Sequence, residues 1–446
     1  MSVPKRLLLI FVMLGLGNPL FLFSRLSLTL PVGIFIALVL GGLLLWCCIR
    51  PGLNNPSLPK KLRQLEEGCA IYETTLLIAI LLILEHAALL AMPAMRPPNL
   101  LFAGNFFAGM GLLILPLTAS LIRLLYAAEQ FDALLRYLIL ATWWLPLIGV
   151  FLNLPTYRAA KQELSFVRTQ YQRDLQRHHE QICRTKFPLL LLHSNFYPDW
   201  KPTTCWGRIP DALEKNGALI FYGNRPTSSS VSQRAEELCT FVQNLMETSG
   251  AEKINIVAHS SRGLDARYAI SALGLHHQVA SLTTICTPHR GCLFAEGALD
   301  HLPQPLSESL SSQRDRLLSQ LEDQYPDFYG TVSDLTPEAC ADLNQRLPNA
   351  PGVYYQSVGA KMAHESSAPF PLNMSYRIVH GVEGDNDGLV ATSSMPWGEH
   401  YIEATPPGAV GISHGDMIDL TRRNIPGFDI CEFYVALVQG LKDKGL

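Results

Sequence analysis

Hydrophobic and polar positions divide the chain into two regimes. Up to residue 157, long uncharged runs cover 7–24, 26–49, 97–122 and 137–157, and a fifth apolar run, 70–92, carries Glu73 near its start and Glu85-His86 inside. The hydrocarbon core of a bilayer needs about 20 apolar residues in a helix. The pattern therefore predicts five spans, at about 7–24, 26–49, 70–92, 98–122 and 137–155. Lys5-Arg6 ahead of the first run is also how a signal peptide begins. No small-x-small cleavage site follows, however, and a second apolar run starts after Arg25, so an uncleaved first span is expected. Ionisable groups inside a span are costly, and Glu85 is expected to be protonated or paired within a passive helical anchor.

Beyond residue 157 the pattern changes. Leu164, Val167, Tyr171, Leu175, His178 and Ile182 recur at three- and four-residue steps, one apolar stripe on a linker helix over about 158–185. Short apolar runs follow at 187–193, 218–222, 254–258, 282–286 and 376–380, each of strand length. Helical patterns such as 234–248 and 264–273 lie between them. Continuous apolar strands alternating with helices predict a parallel sheet covered on both faces. The expected domains are thus a transmembrane region over 1–157, the linker, and an α/β domain over 186–446. Residues 300–335 are rich in Ser, Gln and charge, with leucines at near-helical steps, and read as a lid or as one more surface helix.

Charge sharpens the division. Of the 73 Asp, Glu, Lys and Arg residues in the 446-residue chain, only 16 precede residue 158. The net charge of −3 splits into about +4 before that point and about −7 after it. An acidic globular part repels phosphate backbones, so nucleic acid is not an expected partner. Arg50, Lys60, Lys61 and Arg63 make the loop 50–69 cytoplasmic by the positive-inside rule, and five spans then put 158–446 outside the cytoplasm, at the plasma membrane. Arg158, Lys161, Arg168, Arg173 and Arg177 pull the other way, and four spans would reverse the assignment. Seven cysteines beyond residue 157, an odd number with no zinc-ligand spacing, weakly favour a reducing compartment.

The run 254–258 leads straight into His259-Ser260-Ser261-Arg262-Gly263 and then a helix. A serine on a tight strand-to-helix turn is presented as a nucleophile, with a helix start behind it for a developing oxyanion. The usual G-x-S-x-G reads here Ala258-His259-Ser260-Ser261-Arg262, with Arg at a site that normally has to be small and Gly263 one residue late. A serine nucleophile needs a base and an orienting acid. His414 and His400 are candidate bases, and Asp387 and Asp385 candidate acids.

Several colinear segments resemble the bacterial triacylglycerol lipase family, a branch of the α/β-hydrolases: FPLLLLH at 187–193, CWGRIPDALEKNGA at 205–218, NIVAHSSRGLDARYAISALG at 255–274, SLTTICTPHRG at 281–291, GVYYQSVGAKM at 352–362 and DNDGLV at 385–390. The resemblance covers about 186–420 and none of the membrane part. It implies an α/β-hydrolase fold and a Ser260–Asp387–His414 triad, with oxyanion donors at the backbone of Ser261 and, by position, Asn195, where the family's His-Gly reads His193-Ser194-Asn195. It implies that Asp265, Arg267, His289 and Arg290 hold structure, and that no cofactor is required. In some of these lipases an Asp placed like Asp416 binds a structural calcium, for which Glu365 is the nearest second ligand here; a capping role is the other reading. The expected activity is hydrolysis of a lipid or other acyl ester. Acyl transfer on the same triad and a non-catalytic binding module, suggested by Arg262 and Ser194, are the alternatives. A third is that Glu85 serves a transport or sensing function regulated by the hydrolase part.

Overall fold

The computed structural model describes residues 2–18, 29–49, 58–92, 98–177, 180–193, 205–223, 230–293, 333–369, 372–406, 408 and 410–446. The expected lid lies almost wholly outside these residues, as do His178, His179, Ser194 and Asn195. The chain forms two compact units, 1–173 and 174–446.

The first unit is helical: α1 (Val3–Gly17), α2 (Leu30–Ile49), α3 (Lys60–Ala91), α4 (Asn99–Leu112), α5 (Ile114–Ala127), α6 (Ala133–Thr142), α7 (Pro146–Leu152) and α8 (Leu154–Arg177), the last running past the unit boundary. Among the described residues, three helical stretches are long and apolar enough to cross a membrane: Pro31–Ile49, Lys60–Ala91 and Asn99–Ala127, the last comprising α4 and α5. The apolar stretch at 137–155 is not one helix. It breaks at Trp143 and Trp144, and Pro146 opens α7, where a missing N–H costs least. Small residues let helices meet: Gly17 and Gly109 pass within contact distance of each other and of Leu82. Glu85 is paired, its Oε1 accepting from Asn18 Nδ2 at 2.8 Å.

The second unit carries a six-stranded, wholly parallel sheet. Its strands are β1 (Leu189–Leu192), β2 (Ile220–Tyr222), β3 (Ile254–His259), β4 (Val279–Ile285), β5 (Tyr354–Ala360) and β6 (His400–Ala404), in the spatial order β2-β1-β3-β4-β5-β6. The central strands β1, β3 and β4 are buried along their whole length, which is why they read as unbroken apolar runs. Helices α9 (Ile209–Lys215) and α14 (Ile430–Asp443) share one apolar cluster with the sheet. Helices α10 (Val231–Ser249) and α11 (Arg262–Ser271) share another, and α12 (Pro337–Arg346) comes between β4 and β5 in the chain. This is the α/β-hydrolase arrangement, with the strand that leads to Ser260 near the sheet centre.

One expected strand is corrected. Residues 376–380 lie in helix α13 (Leu372–Glu383), because the apolar set across the wider window is helical: Leu372, Tyr376 and Val379 are buried, while Met374, Ile378 and Val382 face outward. Strand β6, at the sheet edge and only partly buried, had no apolar run to announce it.

Arg262 is buried and finds its partner in the same helix, Nη1 to Asp265 Oδ2 at 3.0 Å. The other side of Asp265 takes Arg234 from α10, whose Nε and Nη2 reach its oxygens at 2.9–3.0 Å. Burial lowers the Arg262 pKa, opposed by Asp265; for Arg234 burial also works downward, but the pairing with Asp265 prevails and raises it. One carboxylate thus holds two buried guanidinium groups and bolts α10 to α11. Removing a partner from a buried pair strands the remaining charge. Asp265→Ala should therefore cost about 3–5 kcal/mol of stability, and Arg262→Ala distinctly less, because Arg234 and Asp265 remain matched. Denaturant midpoints of the detergent-solubilised chain measure both, and equal effects would contradict this account.

Candidate active site

Ser260 follows β3 in the left-handed region, φ +59°, a conformation that costs a non-glycine residue about 1–3 kcal/mol. The surroundings over-determine it. Its N–H donates to Ile285 O at 2.8 Å, and its carbonyl accepts from Thr287 Oγ1 at 2.7 Å and from Gly263 N at 3.1 Å. A Cβ on Gly263 would collide with the Thr287 side chain, so the position that must be small lies at 263. Arg262 at the usual glycine place points instead to Asp265, which accounts for that departure. Ser261 opens α11 and is buried. Asn195, the other expected oxyanion donor, lies outside the described residues.

Asp387 and His414 are brought together. The ring Nδ1 of His414 bonds Asp387 Oδ2 at 2.7 Å, and both residues are buried. Asp387 Oδ1 accepts from the N–H groups of Leu389 at 3.0 Å and Val390 at 2.8 Å, and the His414 N–H donates to Asp387 O at 2.8 Å. Asp387 is thereby fixed as a hydrogen-bond acceptor for Nδ1–H, leaving Nε2 for a proton from elsewhere. Ser260 reaches this pair through its neighbour. The His259 ring packs 4.5 Å from that of His414, and its Nε2 bonds His414 O at 3.2 Å. His259 is a packing element under the turn.

The competing candidates lie elsewhere. His400 begins β6, exposed, opposite Gln356 and so at the sheet edge away from Ser260. Asp385 is half exposed and pairs with Lys361 at 3.1 Å. Asp416 Oδ2 accepts from Ser413 N, Ser413 Oγ and Arg423 Nη2 at 3.0, 2.7 and 2.7 Å, while Glu365 pairs with Arg377. Among the described residues, no cluster of His, Cys, Asp and Glu gathers around Asp416.

Cys286 was not among the expected site residues. It follows β4 in the left-handed region, φ +49°, fully buried, with its N–H on Val358 O at 2.8 Å. Its Sγ lies within 4.8 Å of ligand atoms of both Asp387 and His414. Burial, and then the Asp387 carboxylate to which it hydrogen-bonds, hold its pKa well above the ordinary 9.0, so it stays a thiol and a donor. The only sequence signal was a cysteine directly after a buried strand.

The residues flanking the site tie it to its neighbours. Arg267 bonds Asn344 Oδ1 at 2.8 Å and lies 3.5 Å from the Trp397 ring, with burial bringing its pKa down to about 10. Arg290 bonds the carbonyls of Ser393 and Pro396 at 3.2 and 2.9 Å. His289 sits between Arg267 Nη1 at 3.3 Å and Thr284 Oγ1 at 2.9 Å.

Comparison with known proteins comes from sequence and structure separately. No family model matches the chain. It is 29% identical over 178 residues to a triacylglycerol lipase of Pseudarthrobacter phenanthrenivorans, covering 37% of this chain and 55% of that protein. It is 29% identical over 178 residues to a triacylglycerol lipase of Burkholderia plantarii, covering 37% and 49%. Triacylglycerol lipase 2 of Saccharomyces cerevisiae is 28% identical over 219 residues, covering 46% and 61%. The chain thus spans roughly half to three fifths of these relatives' length. Among solved structures, a mature lipase of Bacillus licheniformis matches 57% of this chain and 92% of its own at 18% identity and TM-score 0.41. The phospholipase PlaB of Legionella pneumophila matches 58% and 62% at 14% identity and TM-score 0.41.

Two buried histidines set a pH dependence of stability. Burial holds both well below the ordinary 6.5, helped by His414 for His259 and by Arg267 and Arg290 for His289. Both are neutral in the fold, whereas the unfolded chain protonates them as pH falls through about 6.5. The unfolded state then binds more protons, so stability present above that pH is lost progressively below it. The urea midpoint should fall between pH 7.5 and 5.5, and His289→Gln should lower the midpoint at pH 7.5 but flatten its pH slope. An unchanged slope would remove His289 from the account.

Proposed function

We propose that this chain is a membrane-anchored serine ester hydrolase of lipase or esterase type, acting on a lipid or other acyl ester. The observation that carries the reading is the approach, at the carboxyl ends of the central strands, of the strained Ser260 turn to the buried Asp387–His414 pair, through the contact of His259 with His414. The similarity to triacylglycerol lipases supports the same substrate class. The apolar helices of 1–173 support attachment to a bilayer.

In this mechanism the Ser260 hydroxyl attacks the ester carbonyl carbon as its proton passes to His414 Nε2. Asp387 holds Nδ1–H and stabilises the imidazolium. The oxyanion is held at the start of α11 by the Ser261 N–H, with Asn195 as second donor. The tetrahedral intermediate collapses, the alcohol leaves with the proton from His414, and an acyl-Ser260 remains. Water, deprotonated by His414, then releases the acid and restores Ser260. Protein groups and water suffice, so no cofactor is required. Asp416 serves in this reading as the cap of the turn bearing His414, rather than as a calcium ligand.

Acyl transfer to an alcohol is the second reading on the same groups. The binding-module alternative loses one of its two motives at Arg262, whose buried pairing with Asp265 gives that residue a structural reason; the other, Ser194, lies outside the described residues. Glu85, bonded to Asn18, fits a passive anchor better than a working group.

Ser260→Ala should lower turnover of p-nitrophenyl esters by the full-length protein about 10⁶-fold. The chain-length profile of the unaltered protein will then define the acyl pocket, and new esters formed with added alcohols would favour acyl transfer. Equal silence of the unaltered and Ser260→Ala proteins, both folded, would overturn the hydrolase reading.

A further inference from the structure

Contacts inside the helical unit fix which helix ends lie together. Arg6, near the start of α1, pairs with Glu73 of α3 at 3.3 Å, and Lys5 lies 4.1 Å from the ring of Trp46, near the end of α2. Ile49, the last residue of α2, accepts from Arg123 of α5 at 3.0 Å, and Arg123 also reaches Glu67 at 3.4 Å. Lys61, at the start of α3, pairs with Glu129, just beyond α5. The start of α1, the end of α2, the start of α3 and the end of α5 therefore share one end of the unit. At the other end, Asn18 meets Glu85, Gly17 meets Gly109, and His86 packs on Phe102 and Phe106 at 5.3 Å each. Helices α1, α2, α3 and α4–α5 thus run up, down, up and down; α1 has 15 residues, about 22 Å at 1.5 Å per residue, and its apolar run continues in the sequence to residue 24.

The fifth apolar stretch does something else. Helix α6 has 10 residues, about 15 Å at 1.5 Å per residue, half of a hydrocarbon core of about 30 Å. It leaves the shared end, where the N–H groups of Glu129 and Gln130 bond Glu163 of α8 at 3.0 and 3.1 Å. It then turns at Trp143-Trp144, and α7 packs back against it. Asn153 Nδ2 bonds Thr142 Oγ1 at 2.8 Å, and Gly149 lies against the Thr142 carbonyl. Val150 O receives the Tyr72 hydroxyl, Tyr157 OH bonds Glu73 Oε1 at 2.8 Å, and further along α8 Arg168 Nε bonds Glu66 Oε1 at 3.0 Å. Moving along α8 thus means moving back along α3 toward its start. The chain enters and leaves at the same end.

That end is the basic one. It carries Lys5, Arg6, Lys60, Lys61, Arg63 and Lys161, whereas the connections at the other end, 18–29 and 92–98, contain Arg25 and Arg96 alone. Lys and Arg accumulate on the cytosolic side of membrane helices. All ten cysteines are free, as a reducing compartment keeps them. Among the described residues of 174–446, no helix is long and apolar enough to cross again.

We infer that the chain crosses the membrane four times, that 133–152 form a re-entrant helical hairpin, and that the N-terminus and residues 174–446 both lie on the cytosolic side. This reverses the expectation of five spans and an external hydrolase domain, which combined a count of apolar runs with the same basic loop at 50–69. The consequence for substrate rests on the hydrolase reading: the esters are those reached from the cytosol, including lipids of the cytosolic leaflet.

The test uses the full chain with a short epitope tag inserted at position 94, at position 130 or at the C-terminus, probed by antibody on intact and permeabilised cells. The tag at 94 should be reached in intact cells, and those at 130 and at the C-terminus only after permeabilisation. A C-terminal tag reached in intact cells, or tags at 130 and the C-terminus on opposite sides, would overturn the inference in favour of a fifth span. A tag at 94 reached only after permeabilisation would overturn the four crossings. These readouts need no activity, so they stand if the hydrolase reading fails. If it holds, sealed inside-out vesicles should cleave an impermeant charged ester and right-side-out vesicles should not.

Discussion

The close passage of helix α11 over the ends of β3 and β4 is the constraint on which the second unit depends. Gly263 lets the helix backbone settle against Thr287, and Thr287 in turn holds the Ser260 carbonyl. That contact fixes the left-handed turn at the carboxyl end of β3. The helix must then be held from behind against a strained start. Asp265 does this with two buried arginines, one from its own helix and one from α10. The strain at Ser260 is thus offset by packing and charge pairing some residues away, a common arrangement at reactive positions. A second left-handed residue, Cys286, ends the neighbouring strand and brings a protonated thiol against the acid that orients His414.

The helical unit is organised by a different rule. Its apolar surfaces give little direction in lipid, where tails are as apolar as leucine side chains. Direction comes from small residues that allow close approach and from polar groups that must find partners. Glu66, Glu67 and Glu73 along α3 each meet a cation from a different part of the chain, and these pairs set how α1, α5 and α8 lie against α3.

Much of the second unit could be read from its residues. The central strands were visible because a parallel sheet buries both faces of a strand, so 187–193, 254–258 and 282–286 read as solid apolar runs. The same signal misled at 376–380, where the helical period shows only over the wider window from Leu372 to Val382, and it was silent at the partly buried edge strand β6. The turn at Ser260 was legible because strand, serine and helix are contiguous. The approach of Asp387 to His414 was legible only through the resemblance, since 26 residues separate them in the chain. The partners of Arg262 were not, because nothing in the sequence tells which way a side chain leaves a helix start. In the membrane part, run length identified apolar segments, but the count of crossings hinged on a Trp-Trp-Leu-Pro break that a hydropathy window averages away.

The short hairpin of α6 and α7 has a consequence for the lipid around it. It fills cross-section over only about half the thickness of a hydrocarbon core. A body wider at one end displaces more lipid from one leaflet than from the other. On the topology inferred above, the cytosolic leaflet gives up the extra area. The helical unit then acts as a shallow wedge, at lowest elastic cost where the bilayer already bends toward the side away from the cytosol. On that topology, membrane shape becomes a variable that biases where the chain accumulates.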